Sequence, residues 1–314
     1  MKKPVLTITF NPAVDLTTGV GRLVAGPKLR CEAPTIQPGG GGVNVSRVIR
    51  ELGGTSTALV AVAGATGAWT RELLARAGIE AVYVEACGAT RQSFAVHDRS
   101  TGEQYRFVLP GDVQDEAFAE RALDVLERLL GETPYGYVVG SGSLPPGLPD
   151  DFYGRIARIV HDHGARFILD TSGAPLVAAM GRGVFLVKSN HDETRTLAEA
   201  YGVAVDAPEA LGRRIVDAGD AEVVILTMGA DGGMLISAAG VERVRAPKVE
   251  VRSKVGAGDS FVGALSHALA SEWALGEAFA LGVAAAAAAV RTEATELARK
   301  PDIEDLYARI ERLS

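Results

Sequence analysis

The order of periodicities along the chain constrains its fold more than any single residue does. Short apolar runs bounded by turn residues read as strands: Val5–Phe10, Thr57–Val62, Tyr137–Gly140, Phe167–Asp170, Phe185–Lys188 and Val223–Thr227. Between them lie segments with helical spacing. Val45, Val48, Ile49 and Leu52 fall at i, i+3, i+4 and i+7, one face of a helix, and Glu120–Leu130 and Phe152–His161 read likewise. Strand, helix, strand repeated this often predicts an α/β fold with a mostly parallel sheet and helices on both faces. Such sheets carry ligands beyond the carboxyl ends of their strands. The 314 residues, 47% of them hydrophobic, suffice for one big domain or two smaller ones.

Two stretches break the rhythm. Leu16–Glu32 has no helical period, and Arg91–Pro110 alternates around a turn expected at Ser100-Thr101-Gly102-Glu103. They predict extra strands that leave the main sheet as a small β-structured flap. The flap is placed at about 12–32 and 88–110, inside a single domain spanning 1–314. Internal repeats and long linkers are absent.

Charge narrows the partners. Lys plus Arg number 32 and Asp plus Glu 39, a net charge of −7, so the basic excess of a nucleic-acid binder is missing. An anionic substrate then needs a local cluster of cations. Cys31 and Cys87 lie far apart without C-x-x-C spacing, which argues against a structural zinc site or a disulfide framework. The amino-terminal apolar run is too short for a signal-peptide core, and no run reaches 18 apolar residues; the alanine-rich stretch 278–290 falls short. A soluble, cytoplasmic protein without membrane or nucleic-acid contacts is expected.

Two glycine-rich motifs carry the chemistry. In Val255-Gly256-Ala257-Gly258-Asp259-Ser260, ahead of the apolar helical run Phe261–Leu269, small residues let the backbone approach a ligand. The N–H groups at the helix start then form an anion hole aided by the helix dipole. A carboxylate there, Asp259, can take a proton from an attacking hydroxyl while the N–H groups stabilise charge on a transferred phosphate. Asp also begins many helices as an ordinary N-cap, and both readings stand. The second motif is Pro38-Gly39-Gly40-Gly41-Gly42-Val43-Asn44-Val45-Ser46-Arg47. Four glycines before a helix cost backbone entropy, so something must require the missing side chains. Close contact of Gly40 and Gly41 with a polyhydroxy ligand is one reason, with Asn44 as donor and acceptor to its hydroxyls. A flexible hinge or a tight helix start is the other.

Together the segments 38–47 and 254–264 resemble the two signatures of the ribokinase-like, PfkB-type carbohydrate kinases. The similarity runs from residue 1 to about 297 and includes Asn11-Pro12-Ala13-Val14-Asp15 and Ser141-Gly142-Ser143-Leu144-Pro145-Pro146-Gly147. It implies a three-layer αβα sandwich with a flap as lid, MgATP as phosphoryl donor and a sugar hydroxyl as acceptor. Asp259 would be the base, and Gly256, Ala257 and Gly258 would line the anion hole. Lys28-Leu29-Arg30-Cys31, Thr90-Arg91-Gln92 and Gly102–Phe107 are similar to the 6-phosphofructokinase branch of the family. That implies fructose 6-phosphate, phosphorylated at its 1-hydroxyl, with its 6-phosphate on Lys28, Arg30, Arg91 and Arg106. Single surface charges usually stay solvated; four in the flap of an acidic protein reverse that preference.

Carried over residue by residue, Asp15 would bind sugar hydroxyls beside Gly40–Asn44, and Ser143 would lie near the substrate. Lys188 and Asn190 would approach the nucleotide phosphates, with Glu193 organising Mg²⁺ through water. Thr227, Gly229 and Gly232 would cradle the nucleotide. Ser189 stands where relatives usually carry Pro, with little effect expected. Relatives commonly carry Thr at the position of Lys254, in a loop that helps hold a monovalent cation, and Arg291, Thr292, Ala294 and Glu296 replace a pattern richer in Asn and Gly. Either the Lys254 ammonium replaces potassium, paired with Glu296, or it faces solvent. The resemblance also implies a homodimer through the flap.

Alternatives remain open. Within the family they are 1-phosphofructokinase and tagatose-6-phosphate kinase; outside it, a non-catalytic nucleotide- or sugar-binding regulator. A nicotinamide-dependent dehydrogenase would want G-x-G-x-x-G directly after the first strand, where Asn11–Asp15 stands instead.

Overall fold

The computed structural model describes residues 3–292 and 296–313. The first third of the chain forms β1 (Val5–Thr9), β2 (Ala13–Val20), β3 (Thr35–Gly39), α1 (Gly41–Glu51), β4 (Ser56–Val62), α2 (Gly64–Arg76), β5 (Glu80–Glu85), β6 (Arg91–Asp98) and β7 (Gln104–Val108). Then come α3 (Glu116–Glu132), β8 (Tyr137–Ser141), α4 (Phe152–Asp162), β9 (Arg166–Asp170), α5 (Ala174–Ala179), β10 (Val184–Ser189), α6 (His191–Tyr201), α7 (Pro208–Asp217) and β11 (Ala221–Thr227). The chain closes with β12 (Gly233–Ser237), β13 (Gly240–Arg245), α8 (Ala257–Ala270), α9 (Leu275–Ala289), α10 (Lys300–Tyr307) and β14 (Glu311–Leu313).

The large sheet runs β14-β13-β12-β11-β10-β9-β8-β1-β4-β5. It is parallel from β5 to β11 and antiparallel beyond. Its central strands are buried on both faces. Leu59, Val138, Leu169 and Val187 face α3–α7, while Val139, Ile168, Leu186 and Ile225 face α1, α8, α9 and α10. All six expected strands are there, and the result is a three-layer αβα sandwich. The alanine-rich segment is α9, buried nearly all round against α8, where Phe279 meets Phe261 edge-on at 6.2 Å. Among the described residues no helix is long and apolar enough to cross a membrane.

A second sheet, β3-β2-β6-β7, stands apart from the first. Its membership corrects the expected flap: 21–34 carries no strand, and the missing one is Thr35–Gly39, whose Pro-Gly end reads as loop. Pairing is mixed, parallel between β2 and β6 and antiparallel at both edges. The register sorts side chains by face. Asp15 pairs with Ser93, and Ala95 with Arg106, on one face; Leu16 pairs with Phe94, and Phe94 with Phe107, on the other.

Candidate active site

The carboxyl ends of β1, β8, β9 and β10 meet the starts of α1 and α8. Gly256 caps α8 at φ +72°, a left-handed conformation that favours glycine. The helical ladder opens with the Ser260 N–H donating to the Gly256 carbonyl at 2.8 Å. The N–H groups of Ala257, Gly258 and Asp259 therefore fall in the first turn, which has no intrahelical acceptor. Asp259 lies inside that turn and makes no side-chain cap bond, which sets the N-cap reading aside. Its Oδ2 accepts from Asn44 Nδ2 at 2.8 Å. Burial and the nearby Asp170 push its pKa up to about 6, with Asp15 adding and Asn44 and Lys188 opposing.

For glycines 39–42, packing within the protein bears out the tight helix start, one of the two causes left open by the sequence. A Cβ on Gly39 would strike the Asp15 carboxylate, on Gly41 Ser141, and on Gly42 the Ile8 carbonyl. At Gly40, φ +108° and a Thr9 methyl 2.6 Å from the position of a Cβ exclude any larger residue. The helix start is thus pressed onto the ends of β1 and β8, and this tight start is one reason for four glycines. Asn44 is likewise occupied: its Oδ1 accepts from Arg47 Nη1 at 3.0 Å while its amide donates to Asp259.

Behind Asp259, Lys188 Nζ donates to Asp170 Oδ1 at 2.9 Å and lies 3.7 Å from Glu193 Oε2. Burial alone would lower the Lys188 pKa, but Asp170 and Glu193 more than offset it, so the ammonium stays above its usual range. Asn190 is the N-cap of α6: its Oδ1 accepts from the N–H groups of Asp192 and Glu193, and Glu193 reaches back to the Asn190 N–H at 2.7 Å. Burial pushes Glu193 up, partly opposed by Lys188. Asp170, Lys188, Glu193, Gly258 and Asp259 line one cavity of about 230 Å³ with Ser141 and Ser143. Ser143 Oγ accepts from Asn11 Nδ2 at 3.1 Å at its mouth. Among the described residues no cluster of three metal-ligating side chains stands ready. One or two carboxylates beside phosphate oxygens are nevertheless what Mg²⁺ takes, and Asp170 with Glu193 fits that donor set.

On the lid, burial raises the Asp15 carboxyl while Arg91, then Arg106 and Arg47, oppose it. Arg91 is half-buried and braced: Nε and Nη2 donate to the Asn11 carbonyl at 3.3 and 3.1 Å and Nη1 to Leu109 at 3.2 Å. Arg106 is exposed. Asp15 lies within electrostatic reach of the lid arginines and of Asp259, which sets this end of the polar face beside the cleft. Lys28 and Arg30 stand exposed in the 21–34 link.

A Cβ on Gly232, at φ +90°, would meet the Val244 carbonyl, so this glycine is required by the β12–β13 packing; Gly229, at φ +60°, faces open space. Thr227 Oγ1 donates to the Ser189 carbonyl at 3.2 Å. Lys254 is exposed, and Glu296 pairs instead with Arg299 at 3.0 Å, so the Lys254–Glu296 pair does not form. A solvated ammonium on the surface has no reason to desolvate. Ala294 lies outside the described residues. The sequence reading did not single out Asp170 and Arg47; for Asp170 the signal was there, a carboxylate ending a buried strand at the ligand edge.

A three-layer sheet with a helix-start anion hole, a carboxylate inside it and a lid lined with guanidinium groups defines a phosphoryl-transfer site of the sugar-kinase type. The profile of the pfkB family carbohydrate kinases matches residues 7–302, and the chain belongs to that family. An ATP-dependent 6-phosphofructokinase isozyme 2 from Mycobacterium tuberculosis is 38% identical over 98% of this chain and 89% of its own length. The isozyme 2 of Escherichia coli is 37% identical over 98% and 99%, and a 1-phosphofructokinase of Bacillus subtilis 33% over 98% of each. Phosphofructokinase-2 from Escherichia coli in complex with potassium superposes with a TM-score of 0.91 at 35% identity, covering 98% of this chain and 99% of that one.

Proposed function

We propose that the chain transfers the γ-phosphoryl group of ATP to the 1-hydroxyl of fructose 6-phosphate, giving fructose 1,6-bisphosphate. The observation that carries this reading is the pair Arg91 and Arg106 set around Asp15 on the lid face beside the cleft of Asp259. A guanidinium fork suits a phosphate, and an acidic chain places cations in a cleft for a reason. Asp15 would hold sugar hydroxyls, with Lys28 and Arg30 adding long-range attraction for the 6-phosphate. Asp259 takes the proton of the attacking hydroxyl, its Oδ2 held by Asn44. The first-turn N–H groups of Ala257 and Gly258 receive the negative charge of the transferred group. Lys188 bears on the nucleotide phosphates, and Asn190 fixes Glu193 in place; Thr227 and Gly229 border the nucleotide. Mg²⁺, held by Glu193 and Asp170, would neutralise phosphate charge. Lys254 being exposed, a monovalent cation near the α8 start is the simpler reading, and rates in potassium against tetramethylammonium salts report it.

A coupled assay with fructose 6-phosphate, fructose 1-phosphate and tagatose 6-phosphate tests the substrate. The highest kcat/KM on fructose 6-phosphate is expected. A preference for fructose 1-phosphate would move the chain to the other branch, and no turnover on any sugar would leave a binding protein.

The apolar face of the lid sheet supports a homodimer. Tyr105 and Phe107 are 37% and 50% exposed, next to Leu16 and Phe94. Such a face on a four-stranded sheet needs cover. Sedimentation of Phe107→Asp against the parent reports it, with a shift to monomer expected.

A further inference from the structure

One cationic side chain reaches the base through a single intermediary. Asn44 and Arg47 stand at i and i+3 on α1 and so share a face. Arg47 Nη1 donates to Asn44 Oδ1 at 3.0 Å and to the Pro38 carbonyl of β3 at 3.3 Å, and Asn44 Nδ2 donates to Asp259 Oδ2 at 2.8 Å. An asparagine amide has one accepting and one donating end, exchangeable by a half-turn. A guanidinium only donates. Arg47 therefore takes the oxygen of Asn44, and the NH₂ is left to meet Asp259. The reverse orientation would set a carbonyl oxygen against a carboxylate oxygen, tolerable only with the carboxyl protonated and useless as a base. Asp15, Asp259 and Glu296 surround the Arg47 charge and oppose the downward pull of burial on its pKa.

We propose that Arg47 is a positioning residue for phosphoryl transfer: through Asn44 it orients the Asp259 carboxylate, and through Pro38 it ties that carboxylate to lid strand β3. The inference rests on Asp259 acting as the base. The groups facing Asp259 are Asn44 and Arg47 from α1, Asp15 from β2, Asp170 from β9 and Lys188 from β10. Losing Arg47 removes a cation and frees the amide to turn. Both changes favour the protonated carboxyl, so the acid limb of kcat moves to higher pH.

The test compares full-length wild type, Arg47→Met, Arg47→Lys, Asn44→Ala and the Arg47→Met/Asn44→Ala double variant, using the sugar phosphate that wild type turns over fastest. Arg47→Met should lower kcat on the order of 10- to 100-fold, leave KM for ATP within about twofold, and shift the acid limb upward. Arg47→Lys should recover part of the rate. The double variant should be no slower than Asn44→Ala alone, because Arg47 acts through Asn44. Multiplying effects, or an unmoved acid limb, would overturn the proposal in favour of plain packing. Should Arg47→Met not fold, Arg47→Gln takes its place. If wild type phosphorylates no sugar, the functional reading fails separately. The Asp259 carboxyl titration followed by ¹³C NMR then decides the orienting contact by itself: an upward shift in the variant keeps Arg47 as the group that orients Asp259 through Asn44, and an unchanged one overturns it.

Discussion

Replacing Asp259 by Asn should stop turnover and stabilise the fold, and the two effects have one cause. The carboxyl is pushed from 3.8 to about 6, chiefly by burial and by Asp170. Each pKa unit corresponds to about 1.4 kcal/mol, so the ionised group costs the native state about 3 kcal/mol at neutral pH. That figure is already net of the Lys188 attraction and the Asn44 bond; the substituted amide keeps an oxygen for the Asn44 NH₂ but must bury its own NH₂, which leaves a net gain of about 1–3 kcal/mol. An unfolding entropy of about 2 cal/mol/K per residue makes each kcal/mol worth roughly 1.5 °C in a chain of 314 residues, so Tm should rise by about 2–4 °C. The sign depends on pH. A carboxyl whose native pKa is raised contributes no penalty while protonated below about 4. Its penalty grows between about 4 and 6 and is complete above. The advantage of Asp259→Asn should therefore be full at pH 7.5 and vanish at pH 4, measured as the difference in Tm between variant and parent by calorimetry. Turnover should fall about 10²–10⁴-fold as the base is lost. A variant less stable at pH 7.5, or an advantage independent of pH, would refute the reasoning.

Three other perturbations follow from the geometry. Arg91→Ala and Arg106→Ala should raise KM for the sugar phosphate by about 10-fold or more and leave KM for ATP within about threefold; initial-rate kinetics with each substrate varied will show whether they do. Gly232→Ala places a Cβ on the Val244 carbonyl in a left-handed backbone, whereas Gly229→Ala meets only open space. The first should cost about 2–4 kcal/mol and the second about 1, read from denaturant midpoints. Asp98, at the lid turn, accepts from the N–H groups of Leu23, Ser100 and Thr101 and from the Ser100 hydroxyl, which together hold its pKa down near about 2. Asp98→Ala should speed hydrogen exchange at those three amides while leaving exchange in β8–β10 unchanged.

Strands β1, β4 and β8–β11 were legible in the sequence because both their faces are buried, which makes the runs continuously apolar. β5, β13 and β14 lie at or near the ends of the sheet, and their exposed polar residues break that signal. Asp259 and its glycines were legible because small residues before an apolar helix have few uses. For the four glycines 39–42 the structure supports the tight-helix-start alternative, since a Cβ on them would strike Asp15, Thr9, Ser141 and the Ile8 carbonyl in turn. Asp170 ends a buried strand at the ligand edge, a signal the sequence carries; its partner does not show there, because only β9 lying beside β10 brings it to Lys188. Arg47 looked like any charge on an amphipathic helix until the fold closed Asn44 over Asp259.

The same contacts explain how a chain of net charge −7 can hold two polyanions in one cleft. Asp15, Asp170 and Asp259 crowd the cleft with negative charge, and their mutual repulsion contributes to the raised pKa of Asp259. The cations that answer them are not spread over the surface. Lys188 is buried on the sheet side, while Arg91 and Arg106 flank Asp15 on the lid side. The two lid arginines then differ in kind. Arg91 is already held by the Asn11 and Leu109 carbonyls, so in the proposed role binding a phosphate would cost it little further ordering. Arg106 is exposed and must order its side chain in water, where salt screens it within about 8–10 Å. Raising ionic strength should thus erode the contribution of Arg106 first and leave that of Arg91 largely intact. On the proposed function, affinity for the phosphorylated sugar would then have a screened part that steers and a braced part that holds.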